Sequence, residues 1–202
     1  MHFDEDYLML KVVFKPGALY RLLGIPLSEF ENQYVDAELV IPGDVKAVNE
    51  QLINAQSYLE MIRIIEQYLA HKIQTIRFDK YPVDKIDKLI NLQSADFSLS
   101  RIAGQACLST RQLERKFMER IGVGPQTYYR ISRFNKAFKM KETQPGLNWF
   151  NIAIDCGYSD LQHLIKDFKQ FSGTTPTALL NEEANDVHHQ LNIDLKMSFL
   201  YT

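Results

Sequence analysis

One arrangement of residues is written twice in the C-terminal half of this 202-residue chain, and the two copies are in register. The first runs from Leu99 to Pro125, with Ile102-Ala103, Leu108-Ser109-Thr110, Leu113, Arg115, Phe117 and Gly122-Val123-Gly124-Pro125. The second runs from Trp149 to Pro176, with Ile152-Ala153, Gly157-Tyr158-Ser159-Asp160, Leu164, Lys166, Phe168 and Gly173-Thr174-Thr175-Pro176. Equivalent residues lie 50 apart before the turn and 51 after it, as if one residue were inserted in the second turn. Each copy predicts a short helix, a tight turn and a longer basic helix. A repeat of this unit suggests a chain that reads two places on one duplex.

The charge distribution agrees with that reading. Residues 1–96 hold 10 Lys and Arg against 15 Asp and Glu, a net −5. Residues 97–178 hold 12 against 6, a net +6, and residues 179–202 hold 1 against 4, a net −3. A basic block between acidic flanks marks the surface that would meet a polyanion. A hydrophobic fraction of 46% and a charged fraction of 24% suit a soluble globular protein. No apolar run approaches the roughly 20 residues of a membrane span. The acidic start Met1-His2-Phe3-Asp4-Glu5-Asp6 is unlike a secretory leader, so a cytoplasmic protein is expected. Cys107 and Cys156 stand near the two turns. A disulfide is open to them in principle, but small buried packing residues in a reducing compartment are the expected role.

Along the chain, three regions are expected: 1–80, 81–181 and 182–202. Tyr7–Phe14 reads as a strand ended by Pro16-Gly17, and Ala18–Leu23 as a short helix closing at Gly24. Asn32–Ile41 is ambiguous. Asp44–Ile73 has a helical period that Ser57 can interrupt by capping a second helix. Tyr81-Pro82 is a linker, and Val83–Asn91 opens the basic region. Helices then follow over Leu99–Ala106 and Thr110–Ile121, from Pro125 to about Lys141, and over Asn148–Cys156 and Leu161–Ser172. The tail Leu195–Tyr201 is apolar, a strand for the N-terminal region or for a partner chain.

Ala103 and Ala153 are small enough to let the two helices of each unit approach, while Leu113/Phe117 and Leu164/Phe168 fill the shared core. Ser109 with Gln112 fits a capping box. In the second turn Ser159 or Asp160 can cap, and Gly157 can take a positive φ. The outward faces carry the chemistry. Arg111, Glu114 and Arg115 form one stripe, and Gln162, His163 and Lys166 form its counterpart. Arg pairs bidentately with guanine, Glu accepts from cytosine N4 and Gln suits adenine, while His and Lys bond guanine or phosphate. Arg130 and Arg133 on the connecting helix, with Ser109, are expected on phosphates. The aromatics Tyr128, Tyr129, Phe134 and Phe138 between those cations are core by their spacing.

These motifs resemble the DNA-binding domain of the AraC/XylS family of bacterial transcription regulators over about Val83–Leu180. The resemblance implies a mainly α chain: a seven-helix, double helix–turn–helix domain whose linker helix directs two recognition helices at successive major grooves. By that resemblance Arg111, Glu114, Arg115, Gln162, His163 and Lys166 are the base-facing residues. Leu164 stands where the family usually has an aromatic, Lys166 where Arg is usual, and Leu179-Leu180 where Tyr-Arg is common. The first is a core exchange; the others weaken phosphate contact by the second unit. Phe14–Gly24 with Pro26-Leu27 resembles the closing strand and helices of a cupin-like sensor domain. A small α+β remnant of that sensor is therefore expected, with most of the barrel absent and no complete effector pocket.

A sequence-specific transcription regulator is the function this implies, with double-stranded DNA as partner, RNA polymerase as a further one, and a homodimer made outside residues 97–178. The alternative is a helical protein-interaction adaptor that has lost DNA reading. With no phosphate loop, metal cluster or nucleophile triad in the sequence, no enzyme, catalytic residue, metal site or cofactor is expected.

Overall fold

The computed structural model describes residues 10–30, 33–41, 43, 45–76 and 97–184. Ten α-helices run through them: α1 (Ala18–Leu23), α2 (Ala37–Val40), α3 (Val45–Asn54), α4 (Tyr58–Thr75), α5 (Leu99–Gln105), α6 (Thr110–Ile121), α7 (Pro125–Thr143), α8 (Trp149–Asp155), α9 (Leu161–Ser172) and α10 (Pro176–Ala184). A 3-10 turn, Leu27–Phe30, follows α1. The described residues fall into two compact units, one of 16–76 with 97–128, the other of 10–15 with 129–184.

Local signals explain where these helices start and stop. Ser57 accepts from the Glu60 N–H and splits the long periodic stretch into α3 and α4, as its side chain allows. Ser109 and Gln112 form the expected reciprocal capping box at the start of α6. Pro125 and Pro176 open α7 and α10, where a missing N–H costs nothing. Gly122 and Gly173 end α6 and α9 with φ of 87° and 78°, a left-handed conformation that side chains resist. The repeat is thus punctuated identically in both copies.

Six of the seven helices expected for the basic region are seen as α5–α10, and Val83–Asn91 lies outside the described residues. The N-terminal expectation needs correction. Residues 10–15 form no strand, and no strand occurs among the described residues. A strand needs a neighbouring ladder to bond to, and these residues have none in the described structure. Residues 7–9, the linker at Tyr81-Pro82 and the tail Leu195–Tyr201 are also outside the description. Asn32–Ile41 resolves into the short helix α2, capped by Asp36.

The unit of 129–184 has a continuous apolar centre. Phe134, Ala137 and Phe138 from α7 meet Ile152, Ala153 and Cys156 from α8, Leu164 and Phe168 from α9, and Leu179 from α10. Phe168 is the hub, edge-on to Phe134 at 4.6 Å and to Trp149 at 5.3 Å. In the other unit Ile102, Ala103, Leu113 and Phe117 are buried, and Phe117 meets Tyr128 edge-on at 5.3 Å. The α1 segment packs on the C-terminal half of α6: Tyr20 donates its O–H to Glu119 at 2.8 Å, and its ring lies 4.7 Å from the Arg120 guanidinium. No local signal marks this contact, made by residues 99 apart. On α3 and α4, by contrast, Ile53, Tyr58, Leu59 and Ile62 are exposed.

The two helix-ending glycines differ in their surroundings. A Cβ on Gly122 would sit 3.2 Å from the Leu27 carbonyl oxygen, whereas one on Gly173 would meet nothing within 4 Å. Gly173→Ala is expected to cost about 1 kcal/mol, the left-handed strain alone. Gly122→Ala should cost about 2–3 kcal/mol, because a backbone contact must also give. Urea unfolding of the two variants, followed by circular dichroism, measures the difference. Equal losses would show that the α1 segment yields freely at Leu27.

Candidate nucleic-acid interface

In the first unit the inward residues of α6 are Leu113, Phe117 and Arg120, all buried. Their spacing leaves Arg111, Glu114 and Arg115 together on the opposite, exposed face. None of these three makes a side-chain hydrogen bond or ion pair with any described residue. Nearby charges are otherwise engaged. Lys116 pairs with Glu119 at 3.4 Å, and the Tyr20 hydroxyl, helped by Lys116 and Arg120, holds the Glu119 carboxyl below its ordinary range. Two arginines therefore stand free near the start of a capped helix.

The second unit repeats the geometry with one shift. The Leu108 N–H donates to Ala103 and the Tyr158 N–H to Ala153, each at 2.9 Å, so the offset of 50 persists through those residues. The caps, Ser109 and Asp160, are 51 apart. Ser159 is therefore the inserted residue. In this register Gln162 and Lys166 stand where Arg111 and Arg115 stand, exposed and without side-chain partners among the described residues. Glu114 has the half-buried Ile165 as its counterpart, and His163 falls opposite Gln112, the capping-box residue. The stripe of Gln162, His163 and Lys166 thus matches that of the first unit at two positions. His163 Nδ1 lies 2.9 Å from both Asp160 Oδ1 and Ser159 Oγ, and its backbone N–H donates to the same Asp160 oxygen.

The turns differ as well. Gly157 has φ of 77°, and the equivalent residue, Cys107, holds φ of 54° despite its side chain. Cys107 is exposed, against the expectation of a buried packing residue, because the outward left-handed turn position carries it away from the core. Cys156 is buried as expected, and desolvation pushes its thiol up to about 11. Both cysteines are free.

Arg130 and Arg133, expected on phosphates, are committed within the protein. Asp167, 3% exposed, points inward from α9. Arg130 donates through Nε and Nη2 to its Oδ1 at 3.0 and 2.6 Å, and also to Gln170. Arg133 donates to Asp167 Oδ2 at 3.4 Å and to the Gly157 carbonyl at 3.0 Å. Its guanidinium lies between the Tyr129 and Tyr158 rings, 4.8 and 4.1 Å from their centroids. Lys136 and Lys141 bond backbone carbonyls, of Asp155 and of Pro145 and Leu147. These cations of α7 brace the helix–turn–helix from behind. An acid at position 167, on the apolar face set by Leu164 and Phe168, was the one sequence signal of this arrangement.

Asp167→Ala would leave two guanidiniums without their buried partner, a loss expected at about 3–5 kcal/mol. Arg133→Ala should cost more than Arg130→Ala, since Arg133 also loses two ring contacts and a turn carbonyl. Fluorescence of Trp149, the single tryptophan, follows unfolding of this unit. An Arg133→Ala protein of unchanged stability but weakened DNA binding would return that residue to the phosphate contacts.

Among the described residues no helix is long and apolar enough to cross a membrane. Residues 102–182 match the family model described as a helix-turn-helix domain. The chain is 36% identical over 75 residues to the HTH-type transcriptional regulator ArgR of Pseudomonas aeruginosa, a match covering 37% of this chain and 22% of that protein. It is 27% identical over 134 residues to an uncharacterized HTH-type transcriptional regulator of Staphylococcus aureus strain MSSA476, covering 66% of this chain and 18% of that one. The chain thus spans less than a quarter of the length of these relatives. Among solved structures, a transcriptional regulator with an AraC-type DNA-binding domain from Chromobacterium violaceum aligns with a TM-score of 0.47 at 25% identity. That alignment covers 52% of this chain and 93% of the other.

Proposed function

We propose that this chain, whose residues 102–182 match a helix-turn-helix domain, is a sequence-specific DNA-binding regulator of transcription of the AraC type. In this reading α6 and α9 are the recognition helices, entering successive major grooves. The observation that carries it is the pair of exposed, unpartnered stripes, Arg111–Glu114–Arg115 and Gln162–Lys166, in one repeated register. Free cations cost nothing to deliver to DNA, whereas those of α7 would first have to leave their internal partners. Arg111 and Arg115 have the fork that guanine O6 and N7 accept, and Glu114 can accept from cytosine N4. Gln162 suits adenine, and Lys166 suits guanine or a phosphate. Ser109 accepts from the Gln112 N–H at 3.2 Å, which leaves its own hydroxyl proton for a phosphate oxygen. Arg130 and Arg133 hold α9 in place rather than touch the duplex. Self-association through the exposed apolar face of α3 and α4, and contact with RNA polymerase, belong to the same proposal.

Duplexes selected from a random pool by the full chain test this. Arg111→Ala or Arg115→Ala is expected to cost about 1–3 kcal/mol on the selected site and to relax preference at one base pair. Equal losses on selected and random DNA would make the residue a phosphate contact instead. Affinity should fall steeply as salt rises, and a protein-interaction adaptor would show no such dependence. Footprinting should reveal two protected segments about one helical turn (~10 bp) apart on one face. Protection of a single segment would leave one working reader.

A further inference from the structure

We propose that His163 determines specificity through a hydrogen-bonding sense fixed by Asp160 and Ser159, so that one base pair of the second half-site is read through a bare imidazole acceptor. This rests on the reading of α9 as a recognition helix.

The geometry fixes the tautomer. Asp160 Oδ1 lies 2.9 Å from His163 Nδ1 and also accepts the His163 backbone N–H at 2.9 Å. The backbone donor, then the imidazole, holds the Asp160 carboxyl below its ordinary range, so it is ionised at neutral pH. A carboxylate oxygen at that distance requires the proton on Nδ1, because the other tautomer would set two lone pairs against each other. Ser159 Oγ, at 2.9 Å, takes a share of the same proton. The neutral ring therefore presents Nε2 as a bare acceptor.

Nε2 has no partner among the described residues, and the side chain is 55% exposed, between the exposed Gln162 and Lys166. In a major groove, a bare acceptor fits the amino group of adenine or cytosine. The opposite tautomer would present a donor there, which fits guanine O6 or N7. Asp160 is the one charged group in contact with the ring among the described residues. The first unit has no such device, for Gln112 turns its Oε1 back to the Ser109 N–H at 2.9 Å.

The full chain and its Asp160→Gly variant should each be used to select duplexes from a random DNA pool, with circular dichroism confirming that both are folded. The unaltered chain is expected to select adenine or cytosine at one position of the second half-site. Asp160→Gly keeps an acceptable N-cap residue and removes the acceptor that holds the Nδ1 proton, so preference for those bases over guanine at that position should fall about 10-fold. Positions set by Arg111 and Arg115 should not move. His163→Ala should lose the same preference. Guanine at that position with the unaltered chain, or a preference that survives in His163→Ala, would overturn the proposal while leaving DNA reading intact. Equal weakening on every sequence in His163→Ala would also overturn it, by making His163 a phosphate contact. Failure to select any motif would instead remove the function it rests on.

Discussion

The buried carboxylate of Asp167 is the constraint around which the second helix–turn–helix is organised. A charge this deeply enclosed survives only if opposite charge encloses it, and two guanidiniums from α7 do so. Because Arg133 also grips the Gly157 carbonyl, one ionic cluster fixes three things together: α7, the turn and α9. Apolar packing around Phe168 would tolerate small rotations of α9. Directional bonds to a fixed anion tolerate far less, and the face that carries Gln162 and Lys166 inherits that precision.

The first unit solves the same problem by other means. Its longer helix, α6, has no buried acid. It is steadied by its capping box and by the α1 segment, through Tyr20 on Glu119 and Arg120 and through Leu27 against Gly122. Duplicated local patterns have thus been braced by unrelated partners, one from within the repeat and one from the chain that precedes it.

Most of the helix pattern was legible because the signals are local. Ser57, Ser109, Pro125, Gly122 and Gly173 act within one turn of themselves, and the bounds of α6 and α9 follow from them. The stripe of Arg111, Glu114 and Arg115 was equally legible, since helical spacing alone puts those residues opposite Leu113 and Phe117. Pairings across the fold were not. Nothing in the composition of α7 separates an arginine meant for phosphate from one meant for Asp167, and only the inward register of that acid decides it. Residues 10–14 of the strand expected over Tyr7–Phe14 form none for a related reason, because a run of apolar residues states a propensity and a ladder requires a neighbour. Assigning the inserted residue to Ser159, and so His163 to the capping position, needed the backbone hydrogen bonds of both turns.

The left-handed turn at Cys107 has a practical consequence. It leaves one exposed thiol two residues before the cap of α6, while Cys156 is buried and resists ionisation. Maleimide chemistry under mild conditions would thus place a single fluorophore or spin label beside the exposed face that carries Arg111 and Arg115, with no engineered cysteine and without disturbing the core.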